Sequence, residues 1–207
     1  MAPTPLPVEI QGMLLTQSLG ESLAIWARVE DELSLIFINA IGAQQDTAAR
    51  AVFYAVRSFE ARLSVTQAAV GAIWPPLPGL IAAEWNALSN LLTRKAKARN
   101  ALAHGGILEL SINDGPTNAY IDPFLNVTGG RMVAKAENLL SVKQVQEKGD
   151  GFSKLALRVS AFEMMLALHL KRQPKSLLRV NHPDPAVRAQ ANQTPQEHPK
   201  PPESSQA

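Results

Sequence analysis

The 207-residue chain is 46% hydrophobic, enough to bury a core, and its length fits one domain with extensions better than two full domains. No uncharged apolar run reaches the ~18 residues of a membrane helix, residues 1–7 are proline-rich without positive charge and do not read as a signal peptide, and the absence of cysteine excludes disulfides, thiolate metal sites and a cysteine nucleophile and fits a reducing, cytoplasmic compartment. Net charge is +2 but uneven: residues 1–93 carry 4 Lys/Arg against 8 Asp/Glu, and residues 94–207 carry 16 against 10, which permits a polyanionic partner on the second half.

Residues 1–19 read as an N-terminal extension. Trp26, Val29, Leu33, Ile36, Phe37 and Ala40 recur at three- and four-residue intervals and predict a helix over about 21–41, stopped by Gly42. Asp46 is placed to cap a second helix that carries Val52, Phe53, Val56, Phe59, Leu63, Thr66 and Val70 on one face. That helix ends near Gly71, before Trp74-Pro75-Pro76. A third helix starts near Pro78, where proline's missing N–H costs nothing. Its stripe is Ile81, Trp85, Leu88 and Leu92, and it should stop at Gly105-Gly106, because glycine tolerates the left-handed conformation that closes helices.

The period then changes. Ile107, Leu108, Leu110 and Ile112 precede Asn113-Asp114-Gly115-Pro116, and Ala119, Tyr120, Ile121 and Phe124 follow, which predicts a short β-hairpin over about 107–124. Gly129-Gly130 marks a loop. A last long helix is expected over about 150–171 through Leu155, Val159, Phe162, Met165 and Leu166, with a start as early as Ser141 if Gly149 and Gly151 form an interruption. Residues 173–207 are polar and rich in proline and read as a disordered tail. The fold class is all-α: an up-and-down four- or five-helix bundle over 20–172, with the hairpin inserted between the third and last long helices.

Arg99 is odd within that frame. It lies 7, 11 and 14 residues after Leu92, Leu88 and Trp85, so it continues the apolar stripe. A guanidinium turned toward a core must find an acceptor, because an unpaired buried charge is very costly. Glu30, between Trp26 and Leu33, and Glu60, between Val56 and Leu63, are the two carboxylates on inward faces, and one of them is expected to hold Arg99. Asn100 and His104, four apart, share a face beside Arg99, and His104 falls in the last turn, where the helix dipole favours a cation. A permanent cation, an amide and a titratable ring at one helix end are the parts that metal-free RNA cleavage needs. A ring nitrogen takes the proton of the ribose 2′-OH, and arginine stabilises the phosphorane-like transition state.

The run Arg99-Asn100-Ala101-Leu102-Ala103-His104, followed by Gly105-Gly106, resembles the signature of HEPN domains. Their motif is an arginine, a polar residue, a short spacer and a histidine, late in a helix of a four- or five-helix bundle. The resemblance covers roughly 20–172, although only the six-residue motif is specific. It implies a homodimer whose two motifs face each other across a composite site. It further implies a metal-independent endoribonuclease of the toxin–antitoxin, abortive-infection or defence kind, with an antitoxin or other protein partner. In that reading Arg99 and His104 are catalytic, and Asn100 orients the substrate or the arginine. Other members keep the fold without cleavage, so a non-catalytic module that binds nucleic acid or a protein is the alternative.

Plainer roles stand beside each of these residues. Arg99 can serve as an interhelical salt bridge, His104 as a helix cap, and Asn100 as a solvent-facing polar group. Arg94, Lys95 and Lys97 are candidate phosphate contacts, with an affinity that would fall as salt rises, or else a solvated helix face. Trp26 and Trp85 read as core. His169, His182 and His198 are isolated, no cluster has metal-ligand spacing, and no cofactor motif is present, so neither metal nor cofactor is expected.

Overall fold

Helix α1 runs Val8–Ile41, starting well before the apolar spacing predicts and taking in most of the expected extension. Its buried line is Leu15, Ser18, Ser22, Trp26, Val29 and Leu33, so the helical period is unbroken but two of its positions are serines. Small residues are needed there because α5, Val142–His169, comes very close: a Cβ on Gly149 would lie 2.7 Å from Ser22 Oγ. The Ser22 hydroxyl turns back to donate to the Ser18 carbonyl at 2.7 Å and lies 3.4 Å from the Val145 carbonyl of α5, so its polarity is met at the contact. Gly42 closes α1 in the left-handed conformation at φ 69°, as expected.

The single helix expected over about 46–71 is two helices, α2 Asp46–Ala55 and α3 Phe59–Gly71. Asp46 is not a cap; it lies inside the first turn of α2 after Gln45, which makes no side-chain cap bond. The chain is extended at Val56 and Ser58, and the Ser58 hydroxyl caps α3 by accepting from the Ala61 N–H at 3.1 Å. The carbonyl of Val56 accepts from Arg62 Nε at 2.8 Å. The apolar spacing of Val52, Val56, Phe59 and Leu63 runs in helical phase across this break, although Val52 is exposed, which is why spacing alone does not reveal it.

Helix α4, Gly79–Ala103, follows Pro78 and ends on His104, whose N–H bonds the Asn100 carbonyl at 3.0 Å. His104 itself is in right-handed geometry, and Gly42 is the one glycine with positive φ among the described residues. Gly105 is therefore needed for space rather than for a left-handed backbone. A Cβ there would lie 2.5 Å from the Ile121 side chain and 3.1 Å from the Asp122 carbonyl.

Those two residues belong to the expected hairpin, β1 Gly106–Ser111 and β2 Thr117–Asp122, antiparallel from Gly106↔Asp122 to Ser111↔Thr117. A second small hairpin, β3 Asn126–Thr128 and β4 Arg131–Val133, was not expected from the sequence. The N-terminal part of α1 holds the first hairpin, with Gln11 bonded to the Asn118 side chain and to the Ala119 N–H. Ile121 exchanges backbone bonds with Leu140 at 2.9 and 2.8 Å. Helix α5 then begins on a capping box of Ser141 and Gln144 and passes without interruption through Gly149 and Gly151.

The computed structural model describes residues 6–111, 115, 117–123, 126–128, 131–133 and 136–172, all within one unit, Met1–Ser176. The expected hairpin turn at 112–114 and 116, Phe124, the Gly129-Gly130 loop and the tail 173–207 lie outside the described residues. The described chain is mostly helical, with five helices. Helix α1 is central: its largest contact is with α5, and it also meets α2, α3, α4 and both strands of the first hairpin. Trp26 and Trp85 are buried, and Trp26 stands edge-on to Phe59 and Phe152 at 4.9 and 5.2 Å. No helix of the described residues is long and apolar enough to cross a membrane.

Polar links also tie α5 to its neighbours. Asn39 Nδ2 donates to the fully buried Glu163 at 2.7 Å, joining α1 to α5. Arg158 on α5 makes a two-pronged bond to Glu84 on α4 at 2.7 and 3.0 Å. Hydrogen bonding from Arg158 holds the Glu84 carboxyl below its usual range, with burial opposing.

Gly149→Leu should force α1 and α5 apart and cost about 1–3 kcal/mol, read as a lower denaturant midpoint; an unchanged midpoint contradicts the tight contact at Ser22. Because the folded-state value of Glu84 is lowered, its contribution is present above the ordinary carboxylate range and is lost as pH falls through the lowered one. With side chains 37% and 41% exposed, solvent screens the pair. Parent and Glu84→Gln should therefore differ by less than about 1 kcal/mol at neutral pH and converge in strong acid, measured by chemical unfolding.

Candidate functional site

The break between α2 and α3 faces the C-terminal end of α4 across a cavity of about 330 Å³. From α4 it is lined by Arg99, Asn100 and His104, from α1 by Glu30, and from the α2–α3 segment by Arg57, Ser58, Phe59, Glu60 and Arg62. A larger cavity of about 560 Å³, between the end of α3 and the start of α4, is lined by Trp74, Leu77, Trp85 and neighbours and contains no ionisable side chain. Charge chemistry thus concentrates at the smaller one.

Glu30 organises the inner wall. Its Oε1 accepts from Trp26 Nε1 at 2.7 Å, and its Oε2 accepts from Arg62 Nη1 at 2.5 Å. Arg62 also bonds the Val56 carbonyl through Nε, and its guanidinium lies 4.9 Å from the Tyr54 ring centre. Tyr54 in turn donates to Asp31 at 2.7 Å; burial first, then this bond, push its hydroxyl above the usual phenol range. Arg62 is therefore committed to holding the break together.

Arg99 is held differently. As expected it extends the α4 stripe inward, and Glu30 is the carboxylate it meets. Yet the contact is long, Nη2 to Glu30 Oε1 at 4.0 Å, because the acid is already bonded to Trp26 and Arg62. Arg99 Nη1 donates to Asn100 Oδ1 at 3.1 Å, and its Nε is buried without a partner. Its side chain is 32% exposed, so one edge stays open to the cavity. His104 is exposed at the cavity mouth.

Glu60 lines the same cavity but makes no ion pair with Arg99; it is exposed, in the first turn of α3. Arg57, likewise exposed, forms no salt bridge among the described residues. Arg94, Lys95 and Lys97 do not line the cavity. Arg94 and Lys97 are exposed elsewhere on α4, and Lys95 lies against Gly151 of α5. Among the described residues no group of three or more His, Asp or Glu is placed to hold a metal ion.

Arg57 and Arg62 were missed in the sequence. The test that singled out Arg99 also selects Arg62, which stands three residues after Phe59 and four before Thr66, both buried. Arg57 carried no such signal, because its position depends on the break. Comparison of the chain with known protein families, with curated proteins and with solved structures yields no match.

Removing the acid by Glu30→Leu strands two guanidiniums and the Trp26 N–H. Breaking a fully buried pair costs about 3–5 kcal/mol. Arg62 and Glu30 keep 15% and 13% of their side-chain exposure, so a loss of about 2–3 kcal/mol in chemical unfolding is expected. A loss below about 1 kcal/mol would show that Glu30 is not the organising group.

Proposed function

We propose that the chain is a HEPN-type, metal-independent endoribonuclease that acts as a cytoplasmic homodimer, of the toxin or defence kind. The observation that carries the reading is that Arg99, Asn100 and His104 line one open cavity while Arg62, not Arg99, takes the main bond to Glu30. Arg99 therefore keeps hydrogen-bonding capacity for a scissile phosphate, with Asn100 holding its guanidinium from the other side. His104 supplies a proton-transfer ring at the mouth, where a ribose hydroxyl has access. Arg94, Lys95 and Lys97, outside the cavity, would meet only flanking phosphates.

A non-catalytic module that binds nucleic acid or a protein is the second reading. What favours it is the contact between Arg99 and Glu30, which already gives the guanidinium a structural partner. An RNA-cleavage assay with EDTA present separates the two. The parent should cut RNA to a 2′,3′-cyclic phosphate, and His104→Ala should lose at least about 10²-fold in rate with fold and oligomeric state unchanged. Equal cutting by parent and variant rejects the assignment of His104, and a parent inert on every RNA tried selects the second reading.

A further inference from the structure

The larger cavity, between the end of α3 and the start of α4, takes no part in the reading above. One of its walls is Trp85, which is 6% exposed and packs against Phe162 at 5.2 Å between ring centres. A buried indole N–H usually finds an acceptor, and that of Trp26 donates to Glu30 at 2.7 Å. The N–H of Trp85 makes no hydrogen bond among the described residues, and it is not one of the unbonded polar atoms sealed inside the fold, so it opens on the cavity that the ring lines. We propose that this cavity binds a nucleobase, a flat uncharged heterocycle whose ring nitrogen or carbonyl accepts the Trp85 N–H.

The lining selects for neutrality. It holds no ionisable side chain, and the one charged residue between Arg62 and Arg94 is Glu84, which Arg158 already binds twice. A charged group entering there would shed water without meeting an opposite charge. Apolar contact comes from Val70 and Leu77, and from Trp74, which lines the cavity yet is 86% exposed, so most of its ring is free to stack. Every base has a face that stacks on such a ring. The polar groups are the side-chain amides of Gln67 on α3 and Asn86 on α4, both exposed and unbonded among the described residues. An amide offers a donor and an acceptor, the combination that the edge of a base presents in return. A hydrocarbon would fill the same space and leave the buried N–H unanswered.

Size and place fit as well. At about 560 Å³ the space is many times the roughly 30 Å³ share of one water molecule, and it falls in the ~300–1,000 Å³ range of small-molecule sites. Trp85 precedes Arg99 by 14 residues on α4, a rise of about 21 Å, so the two cavities are separate sites. The proposal therefore does not rest on the ribonuclease reading. A base can arrive as a free nucleoside or as part of a strand, and the chemistry that reads it is the same in both.

The test is a ligand-observed NMR titration of the full chain with adenosine, guanosine, cytidine and uridine, with their 5′-monophosphates, and with a mixed-sequence 2′-deoxy oligonucleotide, which 2′-OH chemistry cannot cut. Trp85→Phe keeps the ring and removes the N–H, while Ala72→Trp, at an exposed lining position, fills the cavity from outside the core. At least one nucleoside should bind the parent, and its monophosphate no more tightly, since no cation lines the cavity. Trp85→Phe should weaken binding about 3–10-fold, the loss of one neutral hydrogen bond, and Ala72→Trp should abolish it. Should Trp85→Phe fail to fold, Ala72→Trp and Asn86→Ala decide, the latter with a loss of similar size. An oligonucleotide that also loses affinity on Ala72→Trp identifies a base within a strand as the occupant; a loss confined to nucleosides identifies the free base. The proposal is overturned if no nucleoside binds at millimolar concentration, if a folded Trp85→Phe binds like the parent, or if binding survives Ala72→Trp. None of these results touches the assignment of His104.

Discussion

One carboxylate, Glu30, determines how the helices meet at the cavity. Its two oxygens are bonded by the Trp26 indole and the Arg62 guanidinium, and both bonds are anchored in the core or the backbone. Trp26 is 1% exposed and wedged between Phe59 and Phe152, so α1, α3 and α5 share one aromatic contact. Arg62 carries the constraint outward by binding the Val56 carbonyl that the broken helix frees. Without that acceptor–donor pair the break between α2 and α3 would leave a backbone group unmet in a partly buried place. The break brings Arg57, Ser58 and Glu60 to the cavity wall, so the cavity's chemistry follows from the packing around Trp26.

Much of this was legible where apolar periodicity and chemistry coincide. Trp85, Leu88 and Leu92 set the phase of α4, and that phase predicted that Arg99 would turn inward toward Glu30 or Glu60, of which Glu30 is the one it meets. The first hairpin, though not its register, followed from a clear change of period. What periodicity did not carry were contacts in which small or polar residues replace apolar ones. Ser18 and Ser22 hid the first turns of α1, since only the proximity of Gly149 makes a serine suitable there. The same close approach turned Gly149 from an apparent interruption into a packing requirement. The break after Ala55 was hidden for the opposite reason, because Val52, Val56, Phe59, Leu63, Thr66 and Val70 are spaced in helical phase across it even though Val52 is exposed.

The helix ends sharpen the same lesson. The glycines after His104 suggested a left-handed stop, but α4 ends in right-handed geometry and Gly105 serves to admit β2. This packs the hairpin against the end of α4 beside His104. The hairpin is held independently by Gln11, in the part of α1 that resembled a loose extension. The backbone around His104 is thus braced by the strand that follows it and, through that strand, by the first turns of α1. A side chain at a braced helix end loses less freedom on meeting a ligand than one on a free loop.

Charge balance separates a structural ion cluster from a site awaiting a ligand. A structural cluster tends to be neutral once its bonds are counted, because an uncompensated charge in a part-buried place costs free energy. Here Glu30 and Arg62 cancel each other. The remaining lining groups with permanent or ordinary charge are Arg57, Arg99 and Glu60, an excess of one positive charge. A single phosphodiester carries one negative charge and would neutralise that remainder. Beside that charge, the buried Arg99 Nε has no acceptor among the described residues. The unmet bond and the unmatched charge thus border the same cavity, the first on α4 and the second shared between α4 and the α2–α3 segment.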